Sequence, residues 1–172
     1  MKLFTRILPC LVFLLPCFSH AQSMERLIID GNMKATEGDY SAAIDDFNEL
    51  TIEFPGYLKA YYYRGNVEYM AGKYSDAIND FSKMIQTDTG NIEAIFYRGI
   101  CYMEIKNYLS ALSDFDEIVS LDPKFSEAYI EKGEVEILMN NKPQAKLDFK
   151  KASELGNDKA EMALHQLEEE LH

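Results

Sequence analysis

Apolar residues recur three and four positions apart, with polar residues between them, from about residue 24 to the end of the chain. This spacing places the apolar side chains on one face of a helix. Each helical stretch of about fourteen residues is followed by a short polar turn and then by a second helical stretch. No segment has the strict alternation that is typical of a half-buried strand. The pattern therefore predicts an all-α protein built from helical hairpins.

Glycine or asparagine occurs in each of the predicted turns, where it suits a helix end because both residues tolerate the left-handed backbone conformation. The four turns are Glu37–Asp39, Ala71–Lys73, Ile105–Asn107 and Met139–Asn141. Asp39, Asn107 and Asn141 are well placed to cap the helix that follows. Pro55 and Pro123 block continuation of the second helices, so we expect those helices to end just before them.

Four residue types recur at intervals of 34 residues. They are Gly31, Gly65, Gly99 and Gly133; Ala43, Ala77, Ala111 and Ala145; Asp46, Asp80, Asp114 and Asp148; and Phe47, Phe81, Phe115 and Phe149. A period of this length indicates one helical hairpin stacked four times. The predicted units are 24–57, 58–91, 92–125 and 126–159, and leucines at helical spacing predict a capping helix over 160–172, with Leu171 and His172 at its end.

The same alignment assigns packing roles to the recurring residues. Glycine in the first helix lets the second helix approach closely, and the phenylalanine of the second helix is expected to fill the gap toward the next unit. Cys101 aligns with Met33, Val67 and Val135, so we interpret it as a buried packing residue rather than a reactive thiol.

The array resembles the tetratricopeptide repeat family on these glycines, alanines and phenylalanines. Further matches are Tyr40, Tyr74 and Tyr108, Tyr61 and Tyr129, and Pro55 and Pro123. The resemblance covers residues 24–159 and implies a right-handed superhelical solenoid of four helical hairpins followed by a capping helix. It departs from the family pattern where the basic residues Arg64, Arg98 and Lys132 replace leucine. We predict that Arg64 and Arg98 pair with Asp80 and Asp114 of their own units.

Residues 1–21 have the order of a secretory signal peptide: basic Lys2 and Arg6, an apolar run, and small residues before Gln22. The alternative is a membrane anchor, but the apolar run is about twelve residues long and a spanning helix needs about 20. We therefore expect cleavage before Gln22 and export to the periplasm or the cell exterior, preferably in a bacterium, without a membrane-spanning segment in the mature chain.

The chain is acidic, with 17 Lys and Arg against 29 Asp and Glu and a net charge of −12. Residues 1–21 hold two basic residues and no acidic ones, so their removal leaves −14. Such a charge repels nucleic acid.

The sequence offers no motif for catalysis, a metal or a cofactor. Its cysteine aligns with packing positions, its two remaining histidines lie near the C-terminus, and it has no phosphate-binding loop. The sequence thus predicts a protein that is not an enzyme.

The resemblance also implies a partner-binding groove on the first helices of the units. The implied groove residues are Ile28, Asn32, Lys59, Tyr62, Asn66, Tyr69, Phe96, Ile100, Met103, Ile130 and Glu134. Apolar and aromatic side chains beside amides suit a peptide or an amphipathic helix of a partner protein. The lysines that clamp chaperone C-termini in this family are absent, since Ile28, Tyr62, Phe96 and Ile130 occupy one of the clamp places.

We therefore expect an interaction adaptor that binds its partner in the groove. The alternative is a structural subunit of a cell-envelope assembly that contacts partners through its ends and convex face. Ile28 and Ile29 lie in a first unit with no cap before it, which leaves room for self-association.

Overall fold

The computed structural model describes the backbone of residues 8–169 and the side chains of residues 21–169. Within this part of the chain there are nine helices and no strand, which confirms the predicted all-α class. The helices are α1 (Leu8–Thr36), α2 (Tyr40–Glu53), α3 (Leu58–Met70), α4 (Tyr74–Thr87), α5 (Ile92–Glu104), α6 (Tyr108–Leu121), α7 (Ser126–Leu138), α8 (Lys142–Glu154) and α9 (Asp158–Glu169). As predicted, α2 and α6 end just before Pro55 and Pro123.

The chain divides into two compact units, Met1–Ala71 and Gly72–His172. In the first unit α1 packs on α2 and α2 packs on α3. In the second unit each helix from α4 to α9 packs on the next along the chain, and α5 also contacts α7. This succession of neighbours is the arrangement expected of stacked helical hairpins.

The predicted signal peptide and the predicted capping helix both extend beyond the described residues. Residues 1–7 of the predicted signal peptide lie outside the described residues, and α1 runs from Leu8 through the predicted cleavage site to Thr36. Leu171 and His172 of the predicted capping helix also lie outside the described residues, while α9 occupies most of that segment. Among the described residues, no helix has the length and hydropathy required to span a membrane.

Helix caps follow the sequence at two of the three predicted positions. The carboxylate of Asp39 accepts a hydrogen bond from the Ala42 amide at 3.1 Å, and the Asn107 side chain accepts one from the Ser110 amide at 3.4 Å. The prediction for Asn141 is correct for its position and wrong for its side chain: Asn141 is the N-cap residue of α8 but makes no side-chain cap bond. Its Nδ2 instead donates to Oε2 of the buried Glu136 at 2.7 Å, because that carboxylate needs a donor away from water.

The left-handed residues of the turns are mostly the predicted ones. Gly38, Gly72 and Asn140 have φ of 83°, 73° and 61°. In the turn between α5 and α6 it is Lys106 that adopts φ of 62°. The asparagine of that turn, Asn107, is committed to capping α6, so the left-handed residue is the lysine before it.

Each of three glycines in a first helix lies against the phenylalanine ring of the following helix. A Cβ built on Gly31 would lie 2.7 Å from the Phe47 ring, and one on Gly99 would lie 2.8 Å from the Phe115 ring. A Cβ on Gly133 would collide with the Phe149 ring. The predicted close approach is therefore confirmed for these pairs, and the ring lies against the glycine of its own hairpin.

A ladder of polar contacts repeats every 34 residues. Arg98 donates to Asp114, sixteen residues later, and to Ser82, sixteen residues earlier. Lys132 has acidic neighbours at the same two spacings. Its Nζ lies 3.7 Å from the carboxylate of Asp148, sixteen residues later, and 2.6 Å from that of Asp116, sixteen residues earlier. The predicted pairing of Arg98 with Asp114 is confirmed.

In the first unit, Arg64 takes the corresponding place in this ladder. Its Nη1 donates to Asn48, sixteen residues earlier, at 2.8 Å, and to Thr51 at 3.0 Å. The predicted pairing of Arg64 with Asp80 stays a prediction.

The predicted burial of Cys101 is confirmed. Cys101 and the aligned Val135 are fully buried, and the aligned Val67 is only 3% exposed. Met33, at the aligned place in the first unit, is 55% exposed because α1 has no preceding hairpin within the described residues. Beside it Ile28 is half-buried and Ile29 is exposed, so α1 presents an apolar patch to solvent.

Candidate protein-interaction surface

The implied groove residues of the first unit lie on α1 and α3. Ile28 is half-buried and Asn32 is exposed on α1. On α3, Lys59 is exposed, whereas Tyr62, Asn66 and Tyr69 are half-buried. The edge of the Tyr62 ring meets the Tyr63 ring at a centroid distance of 6.1 Å, and Tyr63 in turn stacks on Phe47. The aromatic residues of α3 are thus held in place by packing on α2.

In the second unit the implied residues lie on α5 and α7, which contact each other. Phe96, Ile100 and Met103 of α5 and Ile130 of α7 are all half-buried, and Glu134 of α7 is exposed. Partial exposure of four apolar side chains on two adjacent helices gives this surface an apolar character.

The Phe96 ring has two roles because it also packs inside the unit. Its centroid lies 5.9 Å from that of Phe115 and 5.6 Å from that of Phe125, the latter in an edge-to-face arrangement. A third contact, at 5.9 Å, joins it to Tyr97. Phe96 therefore presents only one part of its ring to solvent, and the rest belongs to the packing of α5, α6 and the start of α7.

Two clefts lie beside α7, and both are bordered by α9 or by the turn that precedes it. The first, of about 350 Å³, is lined by Glu127, Ile130 and Glu131 of α7 and by Gly156–Lys159. A hydrogen bond from Asn157 Nδ2 to Ser126 Oγ, at 3.1 Å, fastens the turn to the start of α7. The cleft therefore has a fixed wall rather than a loose edge.

The second cleft, of about 140 Å³, lies farther along α7. It is lined by Glu134 and Ile137 of α7, Phe149 of α8, and Ala163, Gln166 and Leu167 of α9. Sequence reasoning implied Ile130 and Glu134 but missed the contribution of α9 and the role of Glu131. The leucine spacing of 160–172 predicted a capping helix, and α9 in addition lies beside α7 and lines the second cleft.

Glu131 is the most perturbed carboxyl group on this surface. Burial, together with the neighbouring charge of Glu134, raises its pKa from 4.5 to about 7, although Lys159 works in the opposite direction. The carboxylate lacks sufficient positive charge around it, because a compensating cation would have lowered its pKa.

Charge is distributed unevenly between the helices of the second unit. The odd-numbered helices α5, α7 and α9 together carry ten carboxyl groups, two, four and four respectively, and three basic side chains. Two of those bases, Arg98 and Lys132, are engaged by aspartates of α6 and α8. Lysines are instead concentrated on α8, which contains four. We call the exposed sides of α5, α7 and α9 the acidic face.

Metal-binding chemistry has no support within the described side chains, where no three His, Cys, Asp or Glu groups are arranged to hold an ion. His165 is exposed on α9, 3.6 Å from Glu169. The clefts beside α7 are lined by apolar side chains, carboxylates, amides and the ammonium group of Lys159.

Comparisons with known proteins agree with this description. Residues 93–124 match the family model of the tetratricopeptide repeat. No curated protein sequence matches the chain at a significant level. The all-α helical repeat fold is therefore that of tetratricopeptide repeat proteins, and its sequence match to the family lies on α5 and α6.

Three solved structures illustrate the similarity. The MamA protein superimposes with a TM-score of 0.76 at 21% identity, over 87% of this chain and 82% of that one. A tetratricopeptide repeat protein from Parabacteroides merdae gives 0.77 at 24% identity over 86% of this chain, which spans 59% of that protein. The second tetratricopeptide repeat domain of human RPAP3, in complex with the HSP70 peptide SGPTIEEVD, gives a TM-score of 0.59 at 28% identity. The match covers 63% of this chain and 92% of that domain.

Proposed function

We propose that this chain is a non-enzymatic adaptor that binds a peptide or a helix of a partner protein on its acidic face. The carrying observation is that half-buried apolar side chains lie on the adjacent helices α5 and α7 and that two clefts border α7, one formed with α9 and one with the turn before it. Apolar side chains that a partner can cover, beside a few polar groups that fix its register, are the features of peptide-binding grooves. The peptide complex of the RPAP3 domain supports this use of the fold.

The test is affinity capture of partner proteins on the immobilised full chain. The proteins retained by the wild type are compared with those retained by the double variant Ile100→Ser and Ile130→Ser. Both residues lie on the acidic face and are half-buried. The matched control is Leu109→Ser with Leu147→Ser, which removes the same kind of side chain from α6 and α8, where Leu109 is 72% and Leu147 is 60% exposed. We expect the first variant to lose its partner and the control to retain it, with both showing wild-type helicity.

The alternative function, a structural subunit of an envelope assembly, is favoured by the exposed aliphatic residues outside the acidic face. They include Leu109 on α6, Leu147 on α8, and Ile29 and Met33 on α1. If capture survives the Ile100 and Ile130 changes and is lost in the control variant, or on making Ile29 and Met33 polar, the structural role replaces the adaptor role. Self-association through α1 is tested by sedimentation of the same α1 variant.

Export belongs to the same proposal. Lys2, Arg6 and the apolar run that follows supply a signal for secretion, and the periplasm is the compartment that we propose. Fractionation of a bacterial host that expresses the full chain, with intact-mass measurement of the product, tests this. A product that begins at Gln22 in the periplasmic fraction supports export, and an uncleaved cytoplasmic or membrane-bound product contradicts it.

A further inference from the structure

The two clefts beside α7 share one chemical design. Each combines an isoleucine of α7 with carboxylates of the same helix: Ile130 with Glu127 and Glu131 in the first, and Ile137 with Glu134 in the second. Glu131 and Glu134 are three residues apart on α7, so both lie on one side of the helix. A segment lying along α7 would meet aliphatic and carboxylate groups in alternation.

Positive charge that could neutralise these carboxylates within the unit is scarce. Lys159 is the basic residue that lines the first cleft, and no lysine or arginine is among the residues that line the second. Lys132 of α7 is directed to Asp116 and Asp148 on the neighbouring helices. The raised pKa of Glu131 shows that Lys159 does not offset the cost of its burial beside Glu134.

We infer that the groove between α7 and α9 accepts a basic amphipathic segment of a partner protein, with aliphatic side chains against Ile130 and Ile137 and Lys or Arg side chains at Glu131 and Glu134. This inference rests on the proposed adaptor function and specifies the partner chemistry. Charge complementarity selects the occupant, because a like-charged segment would be repelled by Glu127, Glu131 and Glu134, the carboxyl groups of α7 that line the clefts.

The inferred partner is opposite in charge to the peptide of the RPAP3 domain. That peptide, SGPTIEEVD, contains three acidic residues and no basic one. Here Ile130 occupies a half-buried place on α7, where the family resemblance implies a lysine in a carboxylate clamp, and Glu127, Glu131 and Glu134 of the same helix line the clefts. An acidic peptide would therefore meet carboxylates on this face.

The experiment is selection from a displayed library of random 12-residue peptides on the immobilised full chain. We expect bound peptides to be enriched in Lys and Arg together with aliphatic residues, relative to the starting library. The double variant Glu131→Gln and Glu134→Gln is selected in parallel, and the matched control is Glu117→Gln with Glu154→Gln, two exposed glutamates on α6 and α8. We expect the enrichment in basic residues to vanish in the first variant and to persist in the control.

One selected peptide is then measured by fluorescence anisotropy against wild type and both variants. Loss of the two carboxylates should weaken its binding by about tenfold, and the control should change it less than twofold. Equal weakening in both variants would reveal general attraction to an acidic protein and would overturn the inference. Spermine should compete poorly when it supplies the same concentration of positive charge as the peptide. If it displaces the peptide at that concentration, binding depends on charge alone and the inference is overturned.

The outcomes separate this inference from the adaptor function on which it rests. Peptides without an excess of basic residues, whose binding still depends on Ile100 and Ile130, leave the adaptor function standing and overturn the inferred charge. Absence of any peptide that depends on Ile100 and Ile130 overturns both.

Discussion

Arg98 on α5 and Asp114 on α6 form a two-pronged ion pair, with Nε donating to Oδ2 at 2.8 Å and Nη2 donating to Oδ1 at 2.6 Å. Both side chains are largely buried. Burial raises the pKa of Asp114 in spite of the guanidinium beside it, so the carboxylate depends on Arg98 to remain charged. The pair joins the two helices of one hairpin and, through the Ser82 contact, reaches α4.

Replacement of Asp114 by asparagine should destabilise the fold by about 2 kcal/mol, because Arg98 would keep its charge and lose its counter-ion, and the amide oxygen can replace only one of its two bonds. Urea denaturation followed by circular dichroism measures the change. Asp116→Asn is the matched control: its carboxylate pairs with Lys132 but is 61% exposed, so we expect a change within about 1 kcal/mol. Equal effects of the two substitutions would contradict the importance of the buried pair.

Gly133→Ala should destabilise the protein by about 1–3 kcal/mol, because the added methyl group would collide with the Phe149 ring in a closely packed hairpin. The greater helix propensity of alanine opposes this loss by at most about 1 kcal/mol. Thermal denaturation measures the balance. At Gly56 a methyl group would meet nothing within 4 Å, so Gly56→Ala should leave the melting temperature nearly unchanged. A stabilised Gly133 variant would show that the ring has room to move.

Lys106→Gly should stabilise the protein by about 1 kcal/mol, since it relieves a side chain held at φ of 62°. The comparison is Lys83→Gly, where an exposed lysine inside α4, four residues before the last residue of the helix, is replaced and helix propensity predicts a loss of about 1 kcal/mol. The two substitutions remove the same side chain, so opposite signs in the free energy of unfolding isolate the backbone effect. A loss at both positions would contradict it.

Much of the fold follows from the sequence because each recurring residue answers a local requirement. The 34-residue spacing predicts three kinds of contact: a glycine against a phenylalanine ring, an arginine paired with an aspartate, and a polar residue that caps the start of a second helix. The side chain of Asn141 does not cap α8, because its amide group donates to the buried Glu136 instead. The sequence spacing does not predict that bond, since it depends on how the side chains pack.

The candidate site was less predictable than the fold. The repeat pattern identified Ile130 and Glu134 on α7, but the clefts arise where α9 and its preceding turn border that helix. Nothing in the spacing signalled Glu131, since its perturbation comes from burial and from the balance between Glu134 and Lys159. Three-dimensional surroundings, rather than residue type, single it out.

Glu131→Gln should stabilise the protein at neutral and alkaline pH and have little effect in acid. Burial raises the folded-state pKa of Glu131 to about 7, against 4.5 for the ordinary group. Below pH 4.5 both states hold the proton, whereas between 4.5 and 7 the unfolded chain releases it first, so rising pH costs the wild type stability. Above pH 7 the full cost is present, and glutamine avoids it.

Urea denaturation of wild type and Glu131→Gln at pH 5 and pH 8 measures this difference, with Glu49→Gln, an exposed glutamate on α2, as the control. The gain from Glu131→Gln should be larger at pH 8, and the control should show no such dependence. Glu127, Glu134 and Asp158 add to the negative charge around the group and Lys159 opposes it, so Lys159→Met should enlarge the cost. A gain that is equal at both pH values would instead assign the effect to packing of the side chain rather than to its charge.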